Sequence, residues 1–347
     1  GHSRTVVLDR PKALNALNLE MCIHMKQLLT KWCAPDSGVG LLMMKGAGEK
    51  AFCAGGDVKT VWQKIHDKKD IKEVTEFFKV EYQMNNMLAV SPVPQISFWN
   101  GIVMGGGVGI SRLGEFRIAT EKTMFAMPES GIGLFPDVGS SSWLSHMPDG
   151  LGEYIGLTGV RLKGADTVVS GIATHFVPSW NQPSTSTEHT LGIIPPQLQS
   201  YSTGDRISNV YIISGIRKCF ADKPSVIHIL QALEQKAAQG GEPGEWAQKT
   251  LQVWCMSSAC PTSLVITLGM LHHGKRLSSV AECLQMEYRM VTRCMEAGNF
   301  YEGVRALLVD KDNAPVWDPK TLEEVLPHST DNYFSRFPKS DDELRFD

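Results

Sequence analysis

Two acidic side chains lie eight residues apart in an apolar stretch that is rich in glycine and proline. Glu129 and Asp137 both belong to residues 125–139, which read FAMPESGIGLFPDVG. A carboxyl group among such neighbours loses hydration, which raises its pKa and suits it to proton transfer near neutral pH. The pair therefore predicts acid or base chemistry, while a capping or turn role is the structural alternative for Asp137.

Two glycine-rich turns each follow an apolar run and precede a helical pattern. The first spans residues 51–57, AFCAGGD, and the second spans residues 100–109, NGIVMGGGVG. Backbone N–H groups at a helix start stabilise a negative oxygen, and glycines allow a ligand to approach the backbone closely. A plain strand-to-helix turn is the alternative for the first segment. Nucleotide binding is disfavoured for the second, because it matches neither GxGxxG with a following acid nor GxxxxGK[ST].

The elements that must position these residues indicate an α/β fold. Apolar or β-branched runs predict strands at residues 5–9, 39–45, 95–99 and, more weakly, 117–120. A helical pattern follows the first of them. Strands that alternate with helices favour parallel pairing, in which loops at one end of the sheet carry the chemistry.

The chain changes character after residue 177. Residues 178–215 are rich in Pro, Ser and Thr and predict a variable surface insertion. Residues 216–347 contain several segments of helical periodicity, at 225–239, 245–256, 261–272 and 277–297. We therefore predict a core at residues 1–177, the insertion, and a helical C-terminal region that packs on the core.

The composition excludes several classes of protein. The 347 residues include 34 Lys and Arg against 37 Asp and Glu, so the net charge of −3 offers no basic excess for DNA or an acidic membrane surface. No apolar run approaches the ~20 residues that cross a bilayer. The eight cysteines form no CxxC pair, which disfavours a zinc knuckle and indicates reduced thiols inside a cell. We expect no metal site.

Four segments, three of which overlap those described above, carry a closer resemblance to a known family. KAFCAGGD and NGIVMGGGVG are typical of the crotonase (enoyl-CoA hydratase/isomerase) superfamily, while PESGIGLFPDVG and FYEGVRALLVDKD resemble its 3-hydroxyisobutyryl-CoA hydrolase branch. The match covers nearly the whole chain and is weakest at residues 178–277. It implies an α/β fold built as a crotonase-type spiral of ββα units, with a mainly helical C-terminal region.

The resemblance also implies roles for particular residues. Backbone N–H groups of Ala54 and Gly106 would bind the thioester oxygen of an acyl-CoA. Glu129 would act as nucleophile or as base for water, and Asp137 would handle the proton or the substrate hydroxyl. The remaining substrate-binding residues would be Glu81, Gly55, Gly56, Asp57 and Gly105.

Two further positions correspond to acidic residues of the family. Glu81 matches an acid near the substrate hydroxyl, although a glutamate on a helix is ordinarily a solvated surface charge. Gly109 stands where enoyl-CoA hydratases carry the first of two glutamates, so the resemblance disfavours addition of water to a double bond.

The implied function is hydrolysis of 3-hydroxyisobutyryl-CoA in valine breakdown, in the mitochondrial matrix, with CoA as part of the substrate and no separate cofactor. One alternative is a hydrolase-like structural protein of the small subunit of the mitochondrial ribosome. Another is a related thioesterase or isomerase. The partner of an enzyme would be its acyl-CoA substrate, with a homo-oligomer as a further option. The chain starts at Gly1 without an initiator Met, which indicates a fragment.

Overall fold

The computed structural model describes residues 2–68, 71–179, 210–256 and 259–346. Its contacts define two units, of which the first comprises Gly1–Gly56, Met87–Ala126 and Arg161–Ser208. The second comprises Asp57–Asn86, Met127–Val160 and Asn209–Asp347. The predicted boundary at residue 177 is therefore wrong, because residues 57–86 and 127–160 make their contacts with the C-terminal helices. Most of the predicted insertion, residues 180–209, lies outside the described residues.

The first unit is built on two sheets. One sheet has the order β1 (Ser3–Leu8), β2 (Leu41–Gly46), β4 (Gln95–Trp99), β6 (Phe116–Ala119) and β9 (His175–Phe176), and all its neighbours are parallel. The other has the order β3 (Ala51–Cys53), β5 (Ile102–Met104), β7 (Met124–Ala126) and β8 (Leu162–Lys163). In this sheet, β3 and β5 are parallel, β5 and β7 are parallel, and β7 and β8 are antiparallel. The predicted parallel α/β fold is confirmed.

Consecutive strands are shared between the two sheets in a regular way. Each of the pairs β2 and β3, β4 and β5, and β6 and β7 gives its first strand to the five-stranded sheet and its second to the four-stranded sheet. Ile96 of β4, Ile118 of β6 and Val177, which directly follows β9, form a buried cluster. The predicted strands at 95–99 and 117–120 correspond to β4 and β6, since both supply apolar side chains to this core.

In the described part of the first unit, the helices are α1 (Leu19–Trp32), α4 (Gly106–Gly109) and α7 (Asp166–Val169), together with the end of α3 (Ile71–Ala89). Asn18 caps α1, since its Oδ1 accepts a hydrogen bond of 3.0 Å from the Met21 N–H. Cys22, Met25 and Leu29 then lie on one buried face, as the helical period requires.

The described part of the second unit is mainly helical. Its helices are α2 (Val58–Lys68), most of α3, α5 (Ser140–Leu144), α6 (Leu151–Thr158), α8 (Val210–Phe220), α9 (Val226–Ala237), α10 (Gly241–Met256), α11 (Pro261–Gly274), α12 (Val280–Glu296), α13 (Asn299–Val304) and α14 (Pro327–Phe334). Ser225 and Ser279 cap α9 and α12 through their hydroxyl oxygens. The predicted helical C-terminal region is confirmed.

Among the described residues, no helix is both long and apolar enough to cross a membrane. No disulfide bonds form among the cysteines that the structure describes, namely Cys22, Cys33, Cys53, Cys219, Cys260, Cys283 and Cys294.

Candidate active site

Glu129 is the first residue of a short 3-10 helix in the second unit, Glu129–Ile132, which directly follows Pro128. The turn ends at Gly133, whose φ of 72° favours glycine. A Cβ at Gly133 would lie 2.3 Å from the Asn299 carbonyl oxygen, so the turn packs tightly against the start of α13. This packing fixes the backbone that carries Glu129.

The Glu129 carboxyl group is desolvated and lacks a partner at one oxygen. Its side chain is 6% exposed. Within the described residues, no hydrogen-bond partner reaches its Oε2. Burial raises the pKa of Glu129 well above its usual value, and the nearby charges of Asp137 and Glu81 raise it further. A carboxyl group with such a pKa and a free oxygen is suited to proton transfer or nucleophilic attack.

Asp137 is also buried, and the Tyr82 hydroxyl donates a hydrogen bond of 2.7 Å to its Oδ2. Tyr82 is fully buried on α3. Burial raises the pKa of Asp137 to about 6, although the Tyr82 hydrogen bond acts in the opposite direction by favouring the ionised form. Asp137 therefore changes its charge close to neutral pH.

Glu81 lies on α3 beside Tyr82 and is only 2% exposed. The interpretation of Glu81 as a solvated surface charge is therefore wrong. Burial and the charge of Asp137 both raise the pKa of Glu81 well above its usual value. The structure thus brings three predicted site residues together, because Glu81, Glu129 and Asp137 influence one another electrostatically.

Glu287 on α12 holds the turn that follows Asp137 and was missed by the sequence reasoning. Its Oε2 accepts a hydrogen bond of 2.6 Å from the Gly139 N–H. Its Oε1 accepts bonds of 2.9 and 2.6 Å from the N–H and hydroxyl of Ser141. Burial outweighs these donors and raises the pKa of Glu287 to about 8. The turn includes Val138 at a φ of 55°, a left-handed conformation that is unusual for a β-branched residue.

Tyr82 was missed as well, and only Glu287 left a signal in the sequence. Cys283, Leu284 and Val291 give α12 an apolar face, and Glu287 falls on that same face by helical spacing. A charged residue within an apolar stripe is a sign of a buried polar contact. Tyr82 fits an apolar helix face without any polar contact, so its hydroxyl bond could not be anticipated.

The two glycine turns lie next to each other in the first unit. Gly55 has a φ of 108°, and a Cβ there would come within 3.4 Å of the Met104 carbonyl oxygen and 3.7 Å of the Gly106 nitrogen. Gly105 has a φ of 46° and precedes Gly106, the first residue of α4. The first N–H groups of a helix have no acceptor within the helix. This arrangement is suited to binding an anionic oxygen.

The prediction for Ala54 is wrong, because its N–H group already donates a hydrogen bond of 3.0 Å to the Leu14 carbonyl oxygen. Two residues later, Gly56 forms a parallel bridge with Leu17, in which the Leu17 N–H donates to the Gly55 carbonyl oxygen at 2.8 Å. In a parallel bridge of this kind, the N–H of the bridging residue itself points away from its partner strand. Gly56 is therefore a better placed backbone donor than Ala54.

Asp57, which belongs to the second unit, has a structural contact. Its Oδ1 accepts a hydrogen bond of 3.3 Å from the Thr60 N–H at the start of α2. That contact is a helix cap. Its predicted role in substrate binding stays a prediction.

Among the described residues, no group of three or more His, Cys, Asp and Glu side chains is arranged to hold a metal ion.

Comparison with known proteins identifies the class. Residues 3–334 match the enoyl-CoA hydratase/isomerase family, and the chain belongs to that family. Among solved structures it resembles a carnitinyl-CoA dehydratase from Mycobacterium thermoresistibile, with a TM-score of 0.84, 32% identity and coverage of 99% of this chain and 96% of that one. An enoyl-CoA hydratase from Rhodobacter sphaeroides 2.4.1 gives a TM-score of 0.84, 31% identity and the same coverage, 99% and 96%. The predicted crotonase-type fold is confirmed.

Several curated relatives of this chain are named 3-hydroxyisobutyryl-CoA hydrolases. The chain is 38% identical to the mitochondrial 3-hydroxyisobutyryl-CoA hydrolase of Dictyostelium discoideum over 362 residues, which cover 100% of this chain and 92% of the relative. It is 42% identical to 3-hydroxyisobutyryl-CoA hydrolase 1 of Arabidopsis thaliana, with coverage of 98% and 90%. The mitochondrial 3-hydroxyisobutyryl-CoA hydrolase of Homo sapiens is 40% identical, with coverage of 98% and 88%. The predicted branch of the family is confirmed.

Proposed function

We propose that this protein hydrolyses the thioester of 3-hydroxyisobutyryl-CoA. The observation that carries the proposal is the buried carboxyl group of Glu129, whose Oε2 has no partner among the described residues and whose pKa is raised by burial, Asp137 and Glu81. The full-length likeness to relatives named as 3-hydroxyisobutyryl-CoA hydrolases supports the choice of substrate.

The reaction needs donors for the oxygen that becomes negative as the thioester carbonyl is attacked. The N–H groups of Gly56 and Gly106 serve this purpose in the first unit. Each preorganised donor of this kind typically lowers the barrier by about 2.7–4 kcal/mol. Gly55 and Gly105 allow the two turns to approach each other, since a side chain at Gly55 would press on Met104 and Gly106.

The carboxyl groups of Glu129 and Asp137 supply the bond-forming chemistry by one of two routes. In the first, a Glu129 oxygen attacks the thioester carbon, the C–S bond breaks, and CoA leaves as a thiolate that takes up a proton. Water then hydrolyses the resulting anhydride. In the second, Glu129 accepts a proton from water, whose oxygen attacks the same carbon. Asp137 handles a proton near neutral pH in both routes, since its pKa is about 6.

Hydration of a double bond is the less favourable reaction for this chain. Gly109 is buried in α4 and carries no carboxyl group where the resemblance places the first hydratase glutamate.

The proposed enzyme uses no cofactor besides the CoA of its substrate. The names of the relatives from Dictyostelium discoideum and Homo sapiens support a mitochondrial location, for which the matrix is the compartment we propose. A homo-oligomer remains a further part of the proposal.

The test compares two reactions of the purified protein. We expect release of free thiol from 3-hydroxyisobutyryl-CoA to be much faster than the loss of enoyl absorbance from crotonyl-CoA. A dominant hydration signal would refute the proposal. Absence of both activities, together with co-sedimentation with small subunits of mitochondrial ribosomes, would instead support the structural alternative.

A further inference from the structure

Two polar side chains one turn apart on α3 are buried with unused hydrogen-bonding atoms. Asn85 is 0% exposed, and neither its Oδ1 nor its Nδ2 has a partner among the described residues. The same holds for Oε1 of Glu81. Polar groups that are buried without partners destabilise a fold, and most proteins avoid them. The fold itself therefore provides no reason for an asparagine at position 85.

A second buried asparagine in the same unit shows what a structural role looks like. Asn299 is 7% exposed, and its Nδ2 donates a hydrogen bond of 2.7 Å to the Asp318 carbonyl oxygen. Its Oδ1 accepts one of 3.0 Å from the Asp318 N–H. Both ends of this amide are used by the protein. Asn85 differs because neither end of its amide has a partner among the described residues.

We propose that Asn85 is a specificity-determining residue that binds the hydroxyl group of a hydroxyacyl thioester, beside Glu81, whose place near that hydroxyl the family resemblance already implies. The inference rests on the proposed function and names a residue that selects its substrate. Asn85 and Glu81 are four residues apart on one helix, so their Cβ atoms are neighbours on one face, at about 5–6 Å. Tyr82 lies between them in sequence and is occupied by its bond to Asp137.

The chemistry of the pair matches a hydroxyl group. Nδ2 of Asn85 can donate to the hydroxyl oxygen, and Oε1 of Glu81 can accept the hydroxyl hydrogen. A hydroxyl group supplies one donor and two lone pairs, so it can pair with Nδ2 of Asn85 and Oε1 of Glu81 at once. The Tyr82 hydroxyl, on the same stretch of α3, lies 2.7 Å from Asp137 Oδ2, so this part of the helix is next to a carboxyl group that we assign to the reaction. A hydrogen in place of the substrate hydroxyl, as in isobutyryl-CoA, would leave Nδ2 of Asn85 and Oε1 of Glu81 unpaired.

The experiment compares 3-hydroxyisobutyryl-CoA with isobutyryl-CoA, which lacks only the hydroxyl group. The main variant is Asn85→Leu, which has a similar shape but no polar atoms, and Asn85→Ala serves if leucine prevents folding. We expect kcat/KM for the hydroxylated substrate to fall roughly tenfold, which corresponds to the loss of one good hydrogen bond. The rate with isobutyryl-CoA should stay within about threefold. The melting temperature should be equal to or above that of the wild type, because an unpartnered buried amide is removed.

Asn299→Leu is the matched control, and it should lower the melting temperature because it leaves the Asp318 backbone groups unpaired. An Asn85 variant that melts lower in the same way, with equal losses on both substrates, would overturn the inference. Equal turnover of the two substrates by the wild type would overturn it as well. If the wild type cleaves neither thioester, the proposed function fails, and an Asn85→Leu variant that is less stable than the wild type would then reject the inference independently.

Discussion

The hydrogen bond from Tyr82 to Asp137 gives a prediction whose size follows from the structure. Tyr82→Phe removes the hydroxyl group that lies 2.7 Å from Asp137 Oδ2 and keeps the aromatic ring, which is fully buried. A hydrogen bond to a charged group contributes about 1.5–3 kcal/mol. Because one pKa unit corresponds to about 1.4 kcal/mol, the pKa of Asp137 should rise by roughly one to two units from its value of about 6.

The sign of the stability change follows from the same shift. The pKa of Asp137 is already higher in the folded protein than its ordinary value of 3.8, so its contribution to stability falls as the pH rises from about 4 to about 6. In Tyr82→Phe this fall should continue to a pH of about 7–8. We therefore expect the variant to be less stable than the wild type by about 1.5–3 kcal/mol at pH 8. The difference should be smaller at pH 5, where Asp137 is protonated in both proteins.

Two measurements check this prediction. Urea unfolding at pH 5 and pH 8 gives the stability difference. The pH dependence of kcat/KM for thiol release gives the pKa of Asp137. Tyr154→Phe is the control, since Tyr154 is buried on α6 and interacts with Trp246 and Thr250 rather than with the carboxyl groups. The reasoning is refuted if Tyr82→Phe keeps the wild-type pH profile, or if its loss of stability is the same at both values of pH.

Three further substitutions test the rest of the site. Glu129→Gln should lower kcat by at least ~10²-fold with unchanged or higher thermal stability, and a folded variant within a few fold of wild-type activity would show a structural role. Gly106 has no positive φ, so Gly106→Val tests close approach of a ligand rather than backbone strain, and it should abolish turnover at an unchanged melting temperature. A folded and fully active variant would contradict the role of Gly106 as a donor. Glu287→Ala leaves two buried N–H groups unpaired and should lower the free energy of unfolding by about 3 kcal/mol, against about 1 kcal/mol for Ser141→Ala, as measured by urea unfolding. Equal losses in these two variants would mean that the backbone bonds of Glu287 contribute little.

The sequence by itself determined those features that depend on local pattern. Apolar runs of strand length predicted the strands at residues 95–99 and 117–120, because a buried strand needs apolar side chains in consecutive positions. The glycines at residues 55 and 105 predicted the two turns, because few other residues adopt a positive φ. The apolar surroundings of Glu129 and Asp137 predicted raised pKa values in the same local way.

Only the tertiary structure decided which groups meet. Helical spacing assigns Glu81, Tyr82 and Glu287 to helix faces, but it does not say what those faces contact. The bond from Tyr82 to Asp137 joins residues 55 positions apart, and those of Glu287 join residues about 146 apart. Ala54 shows the same limit within a turn, because its N–H group is committed to Leu14, a contact that local pattern does not reveal. Hydrogen-bond partners and desolvation depend on packing between segments that are distant in sequence, and this is why the composition of the site required the folded chain.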